Sequence, residues 1–223
     1  MSHILTLQEK TPVTHDVNRY VFNRPDPFDF APGQATEMSI IQPGWEDKGR
    51  PFTFTSQPED DHLEFTIKSY LDHDGVTARL RLLKPGDKVQ VTEAFGAIQD
   101  QGPGVFLAAG AGITPFISIL RRRFRDETLA GSQLLYTNKS EADIIHAEQW
   151  EAMTGLPTFF AVTDAQTGRF HPGPIDREVL EARIDSTNGP FYLCGPHGFV
   201  DDMRDTLRAM GADADAVITE KGW

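Results

Sequence analysis

The stretch Val105-Phe-Leu-Ala-Ala109 followed by Gly110-Ala-Gly-Ile-Thr-Pro115 restricts the fold more than any other part of the 223-residue sequence. Five apolar residues in a row read as a buried strand. Phe116, Ile119, Leu120 and Phe124 then recur at i, i+3, i+4 and i+8, the spacing of a helix with one buried face. Strand, glycine turn and helix together present unpaired N–H groups and the positive end of a helix dipole to a phosphate. Gly110 and Gly112 let the backbone turn tightly, and Pro115 suits the first helical turn, where its missing N–H costs nothing. Two such glycines also occur in turns that bind nothing, so the motif gains meaning only from its surroundings.

Those surroundings alternate. After the loop Asp100-Gln-Gly-Pro-Gly104, short strands are predicted at Val105–Ala109, Gln133–Thr137, Thr158–Val162, Phe191–Cys194 and Ala216–Thr219. Segments near 115–125, 142–153, 176–184 and 197–209 between them can form helices, the pattern of a doubly wound parallel sheet. Residues 1–100 read differently. Val13–Phe22, Glu37–Ile41, Arg50–Thr55, Leu63–Lys68 and Lys88–Thr92 are strand-like runs separated by turns such as Pro25-Asp-Pro27, Ala31-Pro-Gly33 and Lys84-Pro-Gly-Asp87. Their spacing fits a small antiparallel barrel, interrupted by one helix over Gly75–Leu83. The predicted fold class is β plus α/β, an antiparallel β-barrel domain over 1–100 followed by a doubly wound parallel-sheet domain over 101–223.

A formal net charge of −12 argues against nonspecific nucleic-acid binding and against an anionic membrane surface. A single cysteine, Cys194, excludes an intramolecular disulfide and a cysteine-ligated iron–sulfur cluster within this chain. The seven histidines are scattered, with neither HExxH nor GxSxG present, and no metal site is predicted. The N-terminus lacks the apolar core of a signal peptide and no run is long enough to span a bilayer, which predicts a cytoplasmic location.

In Arg50-Pro-Phe-Thr-Phe-Thr-Ser56, strand alternation puts Arg50, Phe52 and Phe54 on one face and Thr53 and Thr55 on the other. A guanidinium suits a phosphate, an aromatic ring suits a planar heterocycle, and a hydroxyl can donate to a ring nitrogen. The same residues also fit a plain core strand. Gly75-Val-Thr77 opens a helix and is preceded by Ile67-Lys-Ser69 on a strand, a second anion-ready start. One such start in each half suggests two phosphate-bearing ligands meeting between the domains.

With these motifs in this order, the chain resembles the ferredoxin–NADP(+) reductase superfamily, and within it the compact bacterial flavodoxin/ferredoxin reductase-like flavoproteins. The resemblance covers essentially the whole sequence. It implies that Arg50 holds the flavin phosphates, that Phe52 packs on the isoalloxazine and that Thr53 hydrogen-bonds near N5. Phe52 stands where the family usually has Tyr, which keeps stacking and loses one hydroxyl contact. It further implies that Gly75, Val76 and Thr77 form a second phosphate segment, beside the Ile67 and Lys68 backbone. Gly110, Gly112, Ile113, Thr114 and Pro115 match the family's nicotinamide-dinucleotide motif. Tyr192-Leu-Cys-Gly-Pro196, followed by Met203, matches its Cys-Gly-Pro…Met segment and places Cys194, Gly195 and Pro196 beside nicotinamide C4. There Cys194 positions the ring by packing; a small buried residue ending a strand is the plainer reading.

Asn138 and Lys139 follow the second strand of the parallel sheet, where such folds read the adenosine ribose. Lys139 suits a 2′-phosphate and Glu141 repels one, which leans the expected preference toward NADH. Arg169 is a further nucleotide contact or else a solvated loop arginine. Family likeness also gives the terminal Trp223 a place over the flavin face, a frayed terminus being the alternative. The catalytic set implied is thus Thr53, Cys194 and Trp223. FAD is the expected cofactor, because two segments contact phosphate, with FMN as the alternative. The implied function is a flavin-dependent NAD(P)H oxidoreductase, monomeric, passing hydride from nicotinamide to flavin N5 and electrons to a ferredoxin, flavodoxin or similar separate acceptor. A non-catalytic electron-transfer or regulatory flavoprotein subunit and a flavin reductase releasing reduced flavin are the rival readings. The Arg121-Arg-Arg123 and Arg125 cluster could dock an acidic carrier, but its expected place is the solvent face of the helix.

Overall fold

The computed structural model of the chain describes residues 2–70, 74–96, 98–164 and 168–220. Trp223 lies outside the described residues. The first half builds β1 (Ser2–Pro12), β2 (Val17–Asn23), β3 (Ala35–Ile40), β4 (Arg50–Thr53), β5 (His62–Lys68) and β6 (Lys88–Thr92), with α1 (Val76–Leu80) between the last two. These strands form one antiparallel sheet in the order β4-β3-β6-β1-β2-β5. A bridge between Phe54 and Phe65, with Thr55 N–H donating to Glu64 O at 2.8 Å, ties the two edge strands and closes the sheet into a barrel. Closure removes the exposed edges of the sheet. Leu5, Leu7, Tyr20, Phe22, Met38, Phe54 and Phe65 fill the interior, and Phe30 stacks on Phe54 with centroids 4.4 Å apart.

Three sequence expectations change here. β1 was not among the predicted strands; only Leu5 and Leu7 of it are buried, and its register shifts between Leu7 and Glu9, so its alternation is short. The run predicted from Val13 begins as a turn in which the N–H groups of Val13 and Thr14 both donate to Val17 O, so the strand starts at Val17. Phe54 does not share an exposed face with Arg50. β4 ends at Thr53, and Phe54 turns wholly into the barrel core while Arg50 stays exposed.

The second half builds β7 (Val105–Ala109), β8 (Gln133–Asn138), β9 (Thr158–Val162), β10 (His171–Pro172), β11 (Phe191–Cys194) and β12 (Val217–Thr219). All neighbours are parallel, in the order β10-β9-β8-β7-β11-β12. Helices α2 (Thr114–Arg125) and α3 (Ala147–Ala152) contribute Phe116, Ile119, Leu120 and Trp150 to one face of the sheet, against Phe106, Tyr136 and Tyr192. Helices α4 (Arg177–Arg183) and α5 (His197–Ala209) contribute Val179, Leu180, Met203 and Leu207 to the other, against Leu107, Leu135 and Leu193. This is a doubly wound sheet. The chain leaves β7 toward β8 on one side and returns to β11 on the other, so the order reverses at the C-terminal end of β7, where such sheets bind ligands.

The two halves are joined through α2, and the arginine cluster takes part in the joining. Arg121 Nη1 donates to Thr55 O at 3.0 Å and to the Glu64 carboxylate at 2.9 Å. Arg122 and Arg125 reach Glu59, and Arg123, nearly fully buried, pairs with Asp100. Ser118 adds two more bonds across the boundary, its hydroxyl accepting from Gly33 N–H and its carbonyl from Gln57 Nε2, each at 3.0 Å. The expectation of a solvated arginine face fails at Arg121 and Arg123, whose carboxylate partners Glu64 and Asp100 lie far away in sequence. Arg122 and Arg125 stay partly exposed and also pair with the nearby Asp126.

Candidate functional site

A single cleft of about 1460 Å³ runs along this boundary, its wall shared between the barrel and the C-terminal edge of the parallel sheet. On the barrel side it is lined by Phe52 and Thr53 of β4, by Thr66, Ile67 and Lys68 of β5, and by Thr77 of α1. These residues come from adjacent parts of the closed barrel, because β5 meets the end of β4 at the closing bridge. Thr53 is 8% exposed, and Phe52 packs partly against the barrel core. Lys68 is already paired, its Nζ 3.1 Å from Asp16 Oδ2. Tyr70, half exposed, adds a second aromatic to the wall.

Three barrel residues expected at the site stand off the wall. Arg50 is exposed and donates to its neighbour Gly49 O at 2.7 Å. Val76 is buried in the barrel core. Gly75 caps α1, with open space where a Cβ would stand.

On the sheet side the wall carries Ala109, Gly110, Ala111, Gly112 and Thr114 at the switch point, with Cys194, Gly195 and Pro196 beside them. Gly110 adopts φ +55 and a Cβ on it would meet nothing within 4 Å, so the wall is open there. Tyr136 Oη donates to Gly110 O at 2.9 Å from beneath and fixes the turn. Gly112 is needed for a different reason: a Cβ there would strike the backbone of Cys194 and Gly195. The two loops therefore pack main chain to main chain, which only glycine allows. Ile113 and Pro115 sit buried beneath, as anchors of the turn. The first turn of α2 has no acidic residue and no capping side chain, leaving its positive end unneutralised.

Cys194 ends β11 and is 8% exposed. Burial, reinforced by Glu220, pushes its thiol well above the ordinary range, so it remains neutral. A neutral thiol packs; it does not attack.

At the far end of the cleft, Asn138, Lys139 and Ser140 follow β8. Asn138 is spent on structure, Nδ2 donating to Asp143 O at 2.6 Å and Oδ1 accepting from Lys139 N–H at 3.0 Å. Lys139 is exposed on the wall. Glu141 is not on it: its carboxylate accepts from the N–H groups of Arg169 at 2.5 Å and Phe170 at 3.4 Å. The carboxylate expected to repel a 2′-phosphate thus faces the 169–170 turn, one residue beyond the wall residue Ser140. Arg169 is off the wall too, paired with Glu151.

Sequence reasoning missed His15, Asp16 and Asp143, which bring the β1–β2 turn and the segment after β8 together on the wall, His15 Nδ1 lying 3.4 Å from Asp143 Oδ1. No motif marks them, since they meet only when the domains do. Phe199 and Met203 of α5 also line the cleft; of these only Met203 had a sequence signal, its spacing after Pro196.

The donor set fits nucleotide ligands: an unneutralised helix start, an open glycine turn, aromatic rings and an exposed lysine around one cleft. A closed barrel and a doubly wound sheet sharing such a cleft define a protein that brings two nucleotides together. Comparison with known proteins agrees. The sequence matches the oxidoreductase FAD-binding domain family over residues 4–99 and the oxidoreductase NAD-binding domain family over 106–205. It is 26% identical over 167 residues to the NADH oxidoreductase HCR of Escherichia coli, covering 73% of this chain and 51% of that protein. It is 22% identical over 216 residues to the ferredoxin–NAD(P)(+) reductase component of the naphthalene 1,2-dioxygenase system of Pseudomonas putida, covering 93% of this chain and 65% of that one. The chain thus spans about half to two thirds of the length of these relatives. The structure of a ferredoxin–NADP(+) reductase from Neisseria gonorrhoeae with bound FAD and NADP superposes with a TM-score of 0.85 at 20% identity, covering 100% of this chain and 99% of that one. The chain belongs to the ferredoxin–NADP(+) reductase superfamily of FAD- and NAD(P)-binding oxidoreductases. Among the described residues no helix is long and apolar enough to cross a membrane.

Proposed function

We propose that the chain is a cytoplasmic NAD(P)H-dependent flavoprotein reductase that delivers electrons to a separate carrier, a ferredoxin, a flavodoxin or a protein of similar role. The observation that carries this reading is the shared wall: Phe52 and Thr53 from the barrel and Gly110, Gly112 and Cys194 from the sheet line one cleft. Bound FAD supplies the capacity to take two electrons from reduced nicotinamide and release them one at a time.

The chain's residues hold, orient and exclude water. Phe52 offers an aromatic surface to the isoalloxazine and Thr53 a hydroxyl at its edge. The Ile67–Lys68 backbone and Thr77 hold the ribityl and phosphate portion. Arg50, exposed and at the start of β4, the strand that leads to the wall, offers its guanidinium to the flavin phosphates. Gly110 to Thr114 and the start of α2 receive the nicotinamide dinucleotide's phosphates. Cys194, neutral and buried, backs the nicotinamide by packing, while Gly195 and Pro196 shape the loop around it. Lys139 meets the adenosine end. With both rings held in one cleft, reaction becomes effectively intramolecular. That some relatives are named as reductase components of oxygenase systems supports a separate acceptor.

Purified protein incubated with FAD and passed through gel filtration should elute yellow, and should then reduce ferricyanide with NADH or NADPH. Protein that elutes colourless, or yellow protein without turnover, contradicts the proposal.

A further inference from the structure

We infer that Glu64 and Arg121 are positioning residues, setting the placement of the nucleotide loop against the flavin wall from a point outside the cleft. This rests on the function proposed above. Neither side chain lines the cleft, yet each sits on an element that does. Glu64 and the wall residue Thr66 are neighbours on the same side of β5, since side chains two apart share a face. Arg121 follows Thr114 by two turns of α2, about 10 Å along one rigid helix. Thr55, whose hydroxyl donates to Glu64 at 2.8 Å, follows the wall residue Thr53 by two positions.

The bonds between them leave little play. Glu64 accepts from Thr55 Oγ1 and Arg121 Nη1 through one oxygen and from Arg19 Nε through the other. Arg121 also donates to Thr55 O at 3.0 Å and to Gln149 Oε1 at 2.9 Å, so α3 is held in the same network. Glu64 is 5% exposed. An ion pair this enclosed, with planar groups bonded on several sides, fixes direction as well as distance. The rim pairs of Glu59 with Arg122 and Arg125 are about half exposed and carry no such constraint. One carboxylate thus orients β4, β5 and α2, which between them carry Thr53, Thr66 and Thr114 of the wall.

The test uses FAD-loaded full-length protein with spin labels at L82C and E178C, exposed sites in the barrel and the sheet domain; Cys194, buried, stays unlabelled. Pulsed dipolar spectroscopy should give a narrow interdomain distance distribution. Glu64→Gln should broaden it and slow flavin reduction at saturating NAD(P)H at least tenfold, leaving the Kd for FAD and for nucleotide within twofold. Glu59→Gln should change neither. Should Glu64→Gln fold poorly, the paired Glu64→Leu, Arg121→Met variant removes both charges and leaves Arg19, partly exposed, with Glu9 as its carboxylate partner; it should be folded, broadened and slow. A narrow distribution with the native reduction rate in either variant overturns the inference, as does a loss confined to Kd. If the unsubstituted protein is not reduced by NAD(P)H, the proposed function fails while the distance measurement still judges the clamp.

Discussion

Two regions lie between the same two domains and are built on opposite principles. At the Glu64–Arg121 clamp, a buried carboxylate accepts from three side chains and its arginine partner is bonded on both edges. Along the cleft, the start of α2 is uncapped, Gly110 faces open space and Lys139 is exposed. The difference teaches where each kind of group belongs. Paired charges hold the domains, and the open helix start and exposed lysine wait for ligands.

The largest effect should come from breaking the clamp. Removing one partner of a buried ion pair costs about 3–5 kcal/mol, so Arg121→Met should lower Tm on the order of 10 °C for a chain of this size. Calorimetry measures this directly. A change of a degree or less would mean that the clamp and the rim pairs are equivalent.

Acid sharpens the comparison. Burial, with Arg121 and Arg19 nearby, lowers the His146 imidazole from its ordinary 6.5 to about 4. The unfolded chain therefore takes up that proton first, and stability that is complete above pH 6.5 declines as pH falls toward 4. The loss is about 3 kcal/mol at ~1.4 kcal/mol per pH unit. For Glu64, burial alone would raise the carboxyl, but Arg121, Arg19 and Thr55 hold it at about 2. Its stabilisation is present above pH 4.5 and lost from there down through 2. His146→Gln should flatten the denaturant midpoint between pH 6.5 and 4.5 and leave the fall below 4.5 in place.

The cleft should respond in binding, with stability unaltered. Lys139→Ala should raise the KM for NADPH about tenfold, one charge-assisted contact to phosphate, and leave that for NADH within twofold. Equal changes for both nucleotides would place the lysine away from a 2′-phosphate. The smallest effect concerns Cys194, whose raised thiol predicts kcat/KM free of any thiolate titration between pH 6 and 9 and slow alkylation by iodoacetamide in the folded protein.

Much of this was legible in the sequence, and the boundary of legibility is physical. Val105–Ala109, the glycine turn and the periodic helix after it are local patterns, and they form as read except at the helix end. There Phe124, expected on the buried face, is 47% exposed and Arg123 is buried against Asp100 instead. Thr53, Gly110, Gly112, Cys194 and Lys139 carry local signals as well, and the fold brings them to one wall. What escaped depends on long-range partners. Arg121 looks like a solvated helix residue until Glu64, 57 positions earlier, is folded against it. Glu141 looks like a wall residue until the amides of 169 and 170 turn its carboxylate toward them. β1 was hidden because only its first half alternates cleanly before the register shifts.

An anaerobic titration of FAD-loaded protein with NADH and NADPH, followed by flavin absorbance, tests the central claim most directly. The shared cleft predicts that about one equivalent of reduced nucleotide bleaches the flavin band, through an intermediate long-wavelength absorbance as the two rings stack. A flavin band unchanged by excess of either nucleotide would show that the two walls do not serve one reaction.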